Sequence, residues 1–150
     1  MEMFFGTWRL VPGKNDNFEA FSDAVGLSSA TREVYRDAIF VLQIARDGLA
    51  YRVRSTIEGV PGVETFKWEE HSLYPSVYRG RNGEPMATTI KIEDGKMKQR
   101  KWHLDDDISW DLEARREGDV MILTQRKNAI EWVQTYEKTD DISQIDTALQ

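Results

Sequence analysis

The chain has 150 residues, a length suited to one domain that buries enough surface to be stable without disulfide or metal staples. It contains no cysteine, which excludes a disulfide framework, a thiolate nucleophile and a thiolate metal site. Its 20 basic and 26 acidic side chains leave a net charge of −6, which argues against a duplex nucleic-acid binder that works by neutralising backbone phosphates.

Residues 4–11 are rich in aromatic and β-branched types and run into Pro12-Gly13, so a first strand is predicted to stop there. Phe18, Phe21 and Val25 then fall at i, i+3 and i+7 before Gly26, the pattern of a short helix closed by a glycine. Ser28 is placed to cap a second helix through Tyr35, with Glu33 close to capping-box distance, and Gly26-Leu27 joins the two into a hairpin. From residue 39 the period changes to two. Phe40 to Arg46, Asp47-Gly48 and Leu49 to Ile57 read as strand, tight turn and strand. Gly59-Val60-Pro61-Gly62 is expected to separate these from a strand over Val63 to Glu70. Arg81-Asn82-Gly83-Glu84-Pro85 precedes a strand over Met86 to Glu93, and Asp94-Gly95 precedes Lys96 to His103. Asp105-Asp106-Asp107, Glu117-Gly118-Asp119 and Lys127-Asn128 punctuate three more strands ending near Lys138. About ten short strands joined by hairpins hide their edges best by closing into a barrel.

Alternation along the strands says what lies inside. In Tyr51-Arg52-Val53-Arg54-Ser55 and in Trp110-Asp111-Leu112-Glu113-Ala114 one face is charged and the other apolar or small. Tyr51, Val53, Ser55, Trp110, Leu112 and Ala114 are therefore predicted to face inward, with Arg116 on the same strand face. A barrel of this strand number has room for a small ligand among its interior side chains.

In order along the chain, these pieces resemble the fatty-acid-binding and cellular retinoid-binding protein family, the intracellular lipid-binding members of the calycin superfamily. Phe5-Gly6-Thr7-Trp8-Arg9-Leu10-Val11 is similar to the family's opening strand. Asn17 to Phe21 with Val25-Gly26, and Ala30-Thr31-Arg32-Glu33-Val34, are similar to its helical lid. Ser55-Thr56, Phe66-Lys67, Asp94-Gly95-Lys96, Lys101-Trp102 and Gln134-Thr135-Tyr136-Glu137-Lys138 extend the likeness over residues 4–138. The resemblance implies an all-β fold: a ten-stranded antiparallel up-and-down barrel, or β-clam, with a helix-turn-helix lid between the first two strands. It implies non-covalent binding and intracellular transport of a small hydrophobic ligand, a long-chain fatty acid, retinoid or related lipid, with one or more molecules in the barrel cavity. On this reading the protein is a cytoplasmic monomer with no catalytic role, cofactor or nucleic-acid partner, and its lid makes transient membrane contact. The implied site comprises Phe18, Phe21, Val25, Leu27 and Thr31 from the lid, together with the inward residues named above and Trp132, Gln134 and Tyr136 from the last strand.

Family members that hold a fatty-acid carboxylate usually carry Arg-x-Tyr in the last strand and a second arginine in the eighth. Here Gln134 stands at the first of these positions with Tyr136 retained, and alternation puts Ala114 at the second, with Glu113 or Arg115 as the other readings. Burying a carboxylate without a cation costs several kcal/mol, on the order of the penalty for an unpaired buried ion, so another base would have to replace the arginines. Arg116 and Arg100 are the candidates, each also readable as a solvated surface charge. Gln134 and Tyr136 suit an uncharged oxygen and resemble the retinol-binding branch.

The rival function is a barrel scaffold that has lost its ligand and acts as a structural or interaction protein. An enzyme has little support, because His71 and His103 fit no catalytic or metal spacing and Asp105-Asp106-Asp107 reads as an acidic turn. In residues 139–150, Ile142, Ile145 and Leu149 fall at i, i+3 and i+7, which reads either as a short amphipathic helix behind Thr139 or Asp140 that docks on the barrel or on a partner, or as a frayed terminus. Met1 to Gly6 lacks the basic-then-apolar pattern of a secretory leader, which is the ground for expecting a cytoplasmic protein.

Overall fold

The computed structural model describes residues 1–140; the expected helix over Ile142 to Leu149 lies outside them. Ten antiparallel strands form one sheet curled into a nearly closed barrel: β1 (Gly6–Asp16), β2 (Phe40–Asp47), β3 (Ala50–Ile57), β4 (Val60–Trp68), β5 (Ser76–Arg79), β6 (Pro85–Glu93), β7 (Lys96–His103), β8 (Ser109–Glu117), β9 (Val120–Lys127) and β10 (Ile130–Thr139). Two helices, α1 (Phe18–Val25) and α2 (Ser29–Arg36), separate β1 from β2. Sheet order is β4-β3-β2-β1-β10-β9-β8-β7-β6-β5, so the ladder of β1 with β10, from Thr7 opposite Thr139 to Leu10 opposite Tyr136, unites the two ends of the chain. The closed strand meander is the one that the turn grammar predicts, and its form is the β-clam that the resemblance implies.

The opening between β4 and β5 has no backbone ladder. Side chains close it: the rings of Phe66 and Tyr78 lie 5.2 Å apart, the Ser76 hydroxyl donates to the Lys67 carbonyl, and Arg81 donates to the Ser55 carbonyl at 3.2 Å. One pole is plugged by a 3-10 turn, Glu2–Phe4, which seats Phe4 and Trp8 with no exposed surface; the Trp8 indole donates to the Phe4 carbonyl at 2.9 Å.

Local details differ from the sequence reading at four places. Pro12-Gly13 does not end β1. The register shifts between Leu10 and Asn15, and the missing proline N–H and the positive φ of Gly13 (83°) are absorbed in that irregularity. Likewise β4 begins at Val60, because Pro61 falls in the register shift against β3 and only Glu58-Gly59 make the turn. β5 was not foreseen. It has four residues, and its one outward apolar side chain, Val77, is solvent-exposed, so no alternation announces it. Finally, Ser28 caps α2 by accepting from the Thr31 N–H at 3.2 Å as expected, but Glu33 takes no part and pairs with Arg36.

The two lid helices are held differently. α1 buries Phe18, Phe21, Ser22 and Val25, and Asn17 ties its start to the Glu131 carbonyl of β10 at 3.0 Å. α2 buries no residue. Arg32 moors it to α1, donating to the carbonyls of Leu27 (3.0 Å) and Ser22 (3.2 Å) and pairing with Asp23.

Replacing Trp8 by alanine removes a buried ring and its hydrogen bond from the plugged pole. The expected loss is about 3–5 kcal/mol of unfolding free energy, to be read from denaturant midpoints.

Candidate ligand-binding site

Beneath the lid is a cavity of about 320 Å³, within the size range of small-molecule sites. α1 and the turn after it contribute Phe21, Val25 and Leu27, and α2 contributes Thr31. β3 contributes Val53 and Ser55, β8 contributes Trp110, Leu112 and Ala114, and β10 contributes Trp132, Gln134 and Tyr136. Three of the predicted residues stand apart from the lining. Phe18 backs the wall, its ring edge-on to Trp132 at 4.9 Å. Tyr51, near the start of β3, is buried beside Trp68 (ring centroids 5.2 Å apart), and its hydroxyl accepts from Arg46 at 3.2 Å. Arg116 curls toward the plugged pole, donates to the carbonyls of Met3 (2.7 Å) and Gly118 (2.6 Å), and lies over the Trp8 ring at 5.3 Å. The other candidate cation, Arg100, is outward, bonded to the Ser109 hydroxyl at 3.2 Å and paired with Asp111.

The polar end of the cavity is set by register. Ala114 is opposite Leu123, and Leu123 is opposite Gln134, so the three form one buried row across β8, β9 and β10. Where resemblance led one to look for two arginines there is a methyl and an amide. The Gln134 side chain is 1% exposed; its Oε1 accepts from the Tyr136 hydroxyl at 3.2 Å, while its Nε2 has no hydrogen-bond partner among the described residues. Leaving such a donor unmet costs about 1–3 kcal/mol, so this end favours a guest or solvent oxygen that accepts from it.

The rest of the wall is mixed. Trp110 donates to Gln125 at 3.0 Å, Gln99 donates to Thr88 at 3.0 Å, and Met86 and Met97 fill the β6–β7 side. Sequence reasoning did not place Gln99, Lys101 or His103 inside. The signal was present in the pairing of β7 with β8, where Lys101 stands opposite the inward Trp110. With that anchor, period two puts Met97, Gln99, Lys101 and His103 in and Arg100 out. Glu64 of β4 and Glu84 before β6 also face the cavity near its rim. Among the described residues, no group of three His, Cys, Asp or Glu could hold a metal ion, and no helix is long and apolar enough to cross a membrane.

Fold and cavity define a β-clam of the kind found in fatty-acid-binding and related lipid-binding proteins, and solved structures of that kind superimpose on most of the chain. Similar structures include fatty-acid-binding protein 1 of Echinococcus granulosus (22% identity, TM-score 0.80, covering 93% of this chain and 99% of that one). Another is a Schistosoma mansoni fatty acid binding protein in complex with arachidonic acid (17% identity, TM-score 0.78, 93% and 98%). A third is secretory abundant heat soluble protein 4 of Ramazzottius varieornatus (14% identity, TM-score 0.80, 90% and 94%). By sequence, no family model matches the chain and no curated protein matches it.

Burial raises the pKa of Tyr136, Tyr78 and Tyr35, because the phenolate would lose its hydration. Their folded-state values lie above the unfolded value of about 10, so the stability they contribute is complete below that pH and is lost as pH rises through and beyond it. Absorbance titration should show the buried Tyr136 and Tyr78 phenolates appearing only together with alkaline unfolding, as followed by tryptophan fluorescence.

Proposed function

We propose that this protein binds one hydrophobic small molecule in its barrel and carries it non-covalently, as a monomer, without catalysis. One observation carries the reading: a mainly apolar cavity beneath a helical lid holds a buried amide donor, Gln134 Nε2, with no partner among the described residues. Burial of an alkyl chain supplies the affinity, at ~0.8 kcal/mol per methylene before ordering costs. The amide and phenol then select for an oxygen at the inner end. Long-chain fatty acids, retinoids and related lipids are the class that fits such a space. The arachidonic acid bound by the Schistosoma mansoni protein supports the choice.

Exchange of the guest runs through the side of the lid that is least packed. α2 has no buried residue, and Val34 on it is well exposed, so this helix is the element that touches a donor or acceptor membrane. Arg32 is engaged within the lid and is not the contact.

Native mass spectrometry of the purified protein should show a mass adduct that organic extraction releases as a lipid. A barrel that stays empty after incubation with long-chain acids, alcohols and retinoids would instead favour the scaffold role. Gln134→Arg restores the arginine expected from the resemblance and should raise affinity for a plain fatty acid by about tenfold in a dye-displacement titration. No gain would count against Gln134 as the selecting group.

A further inference from the structure

Lys101 is the one lysine among the lining residues of the cavity, which include no arginine. Its ammonium lies 5.3 Å from the centroid of the Phe66 ring and 5.9 Å from that of Tyr78, held by ring faces of β4 and β5. No carboxylate pairs with it and no hydrogen bond engages it among the described residues. Beside it the Tyr78 hydroxyl is buried and also without a hydrogen-bond partner among them. An ammonium resting on aromatic faces keeps its charge and its three donors available to an anion.

This station is at the other level of the barrel from Gln134. Met97 is opposite Ala114, which belongs to the row of Leu123 and Gln134, and Lys101 is four residues further along β7. At about 3.3 Å per residue the two levels are ~13 Å apart along the strand. Leu112, Met97 and Leu123 supply apolar wall at and below the midpoint. Glu64 and Glu84 face the Lys101 end as well. Glu84 accepts from the Asn82 backbone N–H at 3.1 Å, and Glu64 lies on β4 opposite Ser55.

We propose that Lys101, assisted by the Tyr78 hydroxyl, receives the anionic group of the ligand at the rim-side wall. The guest is then a long-chain acid that carries an uncharged oxygen toward its far end for Gln134. The head group of the bound acid is thus at the opposite level of the cavity from the inner arginine positions that the resemblance suggested. The inference rests on the carrier reading and sharpens it to a two-ended amphiphile.

The test is displacement of a neutral, polarity-sensitive arylamine dye from the full chain by three probes of equal length: ω-hydroxyhexadecanoate, hexadecanoate and hexadecanol. The unmodified protein should rank them in that order. Lys101→Gln should weaken both acids by about tenfold or more and leave hexadecanol within about twofold; Lys101→Arg should restore the acids. Glu64→Gln, which removes a competing negative charge without touching Lys101, should strengthen both acids and not the alcohol. Melting temperatures of all variants are compared first, and Glu64→Gln together with Lys101→Arg carries the test if Lys101→Gln does not fold. Equal weakening of acids and alcohol by Lys101→Gln, or no effect on the acids, overturns Lys101 as the anion site. Equal affinity for the hydroxy acid and the plain acid overturns the two-ended guest. If none of the three probes displaces the dye from the unmodified protein, the carrier reading itself fails and this inference falls with it.

Discussion

Ten strands wound into one barrel enclose more space than their inward side chains fill, and the rest of this molecule answers that constraint. An apolar interior open to water at either pole would forfeit much of the gain from burial. The chain seals one pole with Phe4 and Trp8 from its first residues. The other is covered by α1, whose Phe18 and Phe21 meet Trp132 of β10 with ring centroids at 4.9 and 5.4 Å. Trp132 is thus the keystone of the lid, since Phe40 of β2 also approaches it, at 6.3 Å. Both seals draw on the paired strands β1 and β10, through Trp8 of one and Trp132 of the other.

Inside, what is absent from the expected places matters as much as what is present. A barrel that neutralised a buried carboxylate deep in the sheet would need cations on β8 and β10, where this chain carries Ala114 and Gln134. The two arginines that could have served are committed elsewhere: Arg116 caps the plugged pole and Arg100 pairs outside with Asp111. The interior therefore has a neutral, hydrogen-bonding floor and a single ammonium nearer the rim. Water excluded by the lid strengthens both kinds of contact, because each polar partner is scarcer and the local dielectric lower.

Much of this was legible in the residues. Period-two alternation in Tyr51 to Ser55 and Trp110 to Ala114, with glycine-bearing turns between, yields the barrel, and Phe18, Phe21 and Val25 at helical spacing yield the packed face of α1. Legibility failed where pairing, and not local pattern, decides. β5 is too short and too exposed to alternate, and Pro12 and Pro61 are tolerated because register shifts take up the missing donors. In Lys96 to Arg100 four of the five residues are charged or carry an amide, so the pattern shows no clear apolar face and only the partner strand tells which side is in. Lys101 was missed for that reason. Tyr51 and Arg116, at the ends of β3 and β8, meet neighbours outside the cavity lining: Tyr51 is buried against Phe5 and Trp68, and Arg116 reaches the Met3 carbonyl.

The seam between β4 and β5 has a mechanical consequence. Because ring contacts and a few side-chain hydrogen bonds span it in place of a backbone ladder, the wall can widen there by rotamer changes without breaking sheet hydrogen bonds. At such a joint the girth of the shell is set by side chains, while the nine laddered strand pairs fix the spacing everywhere else.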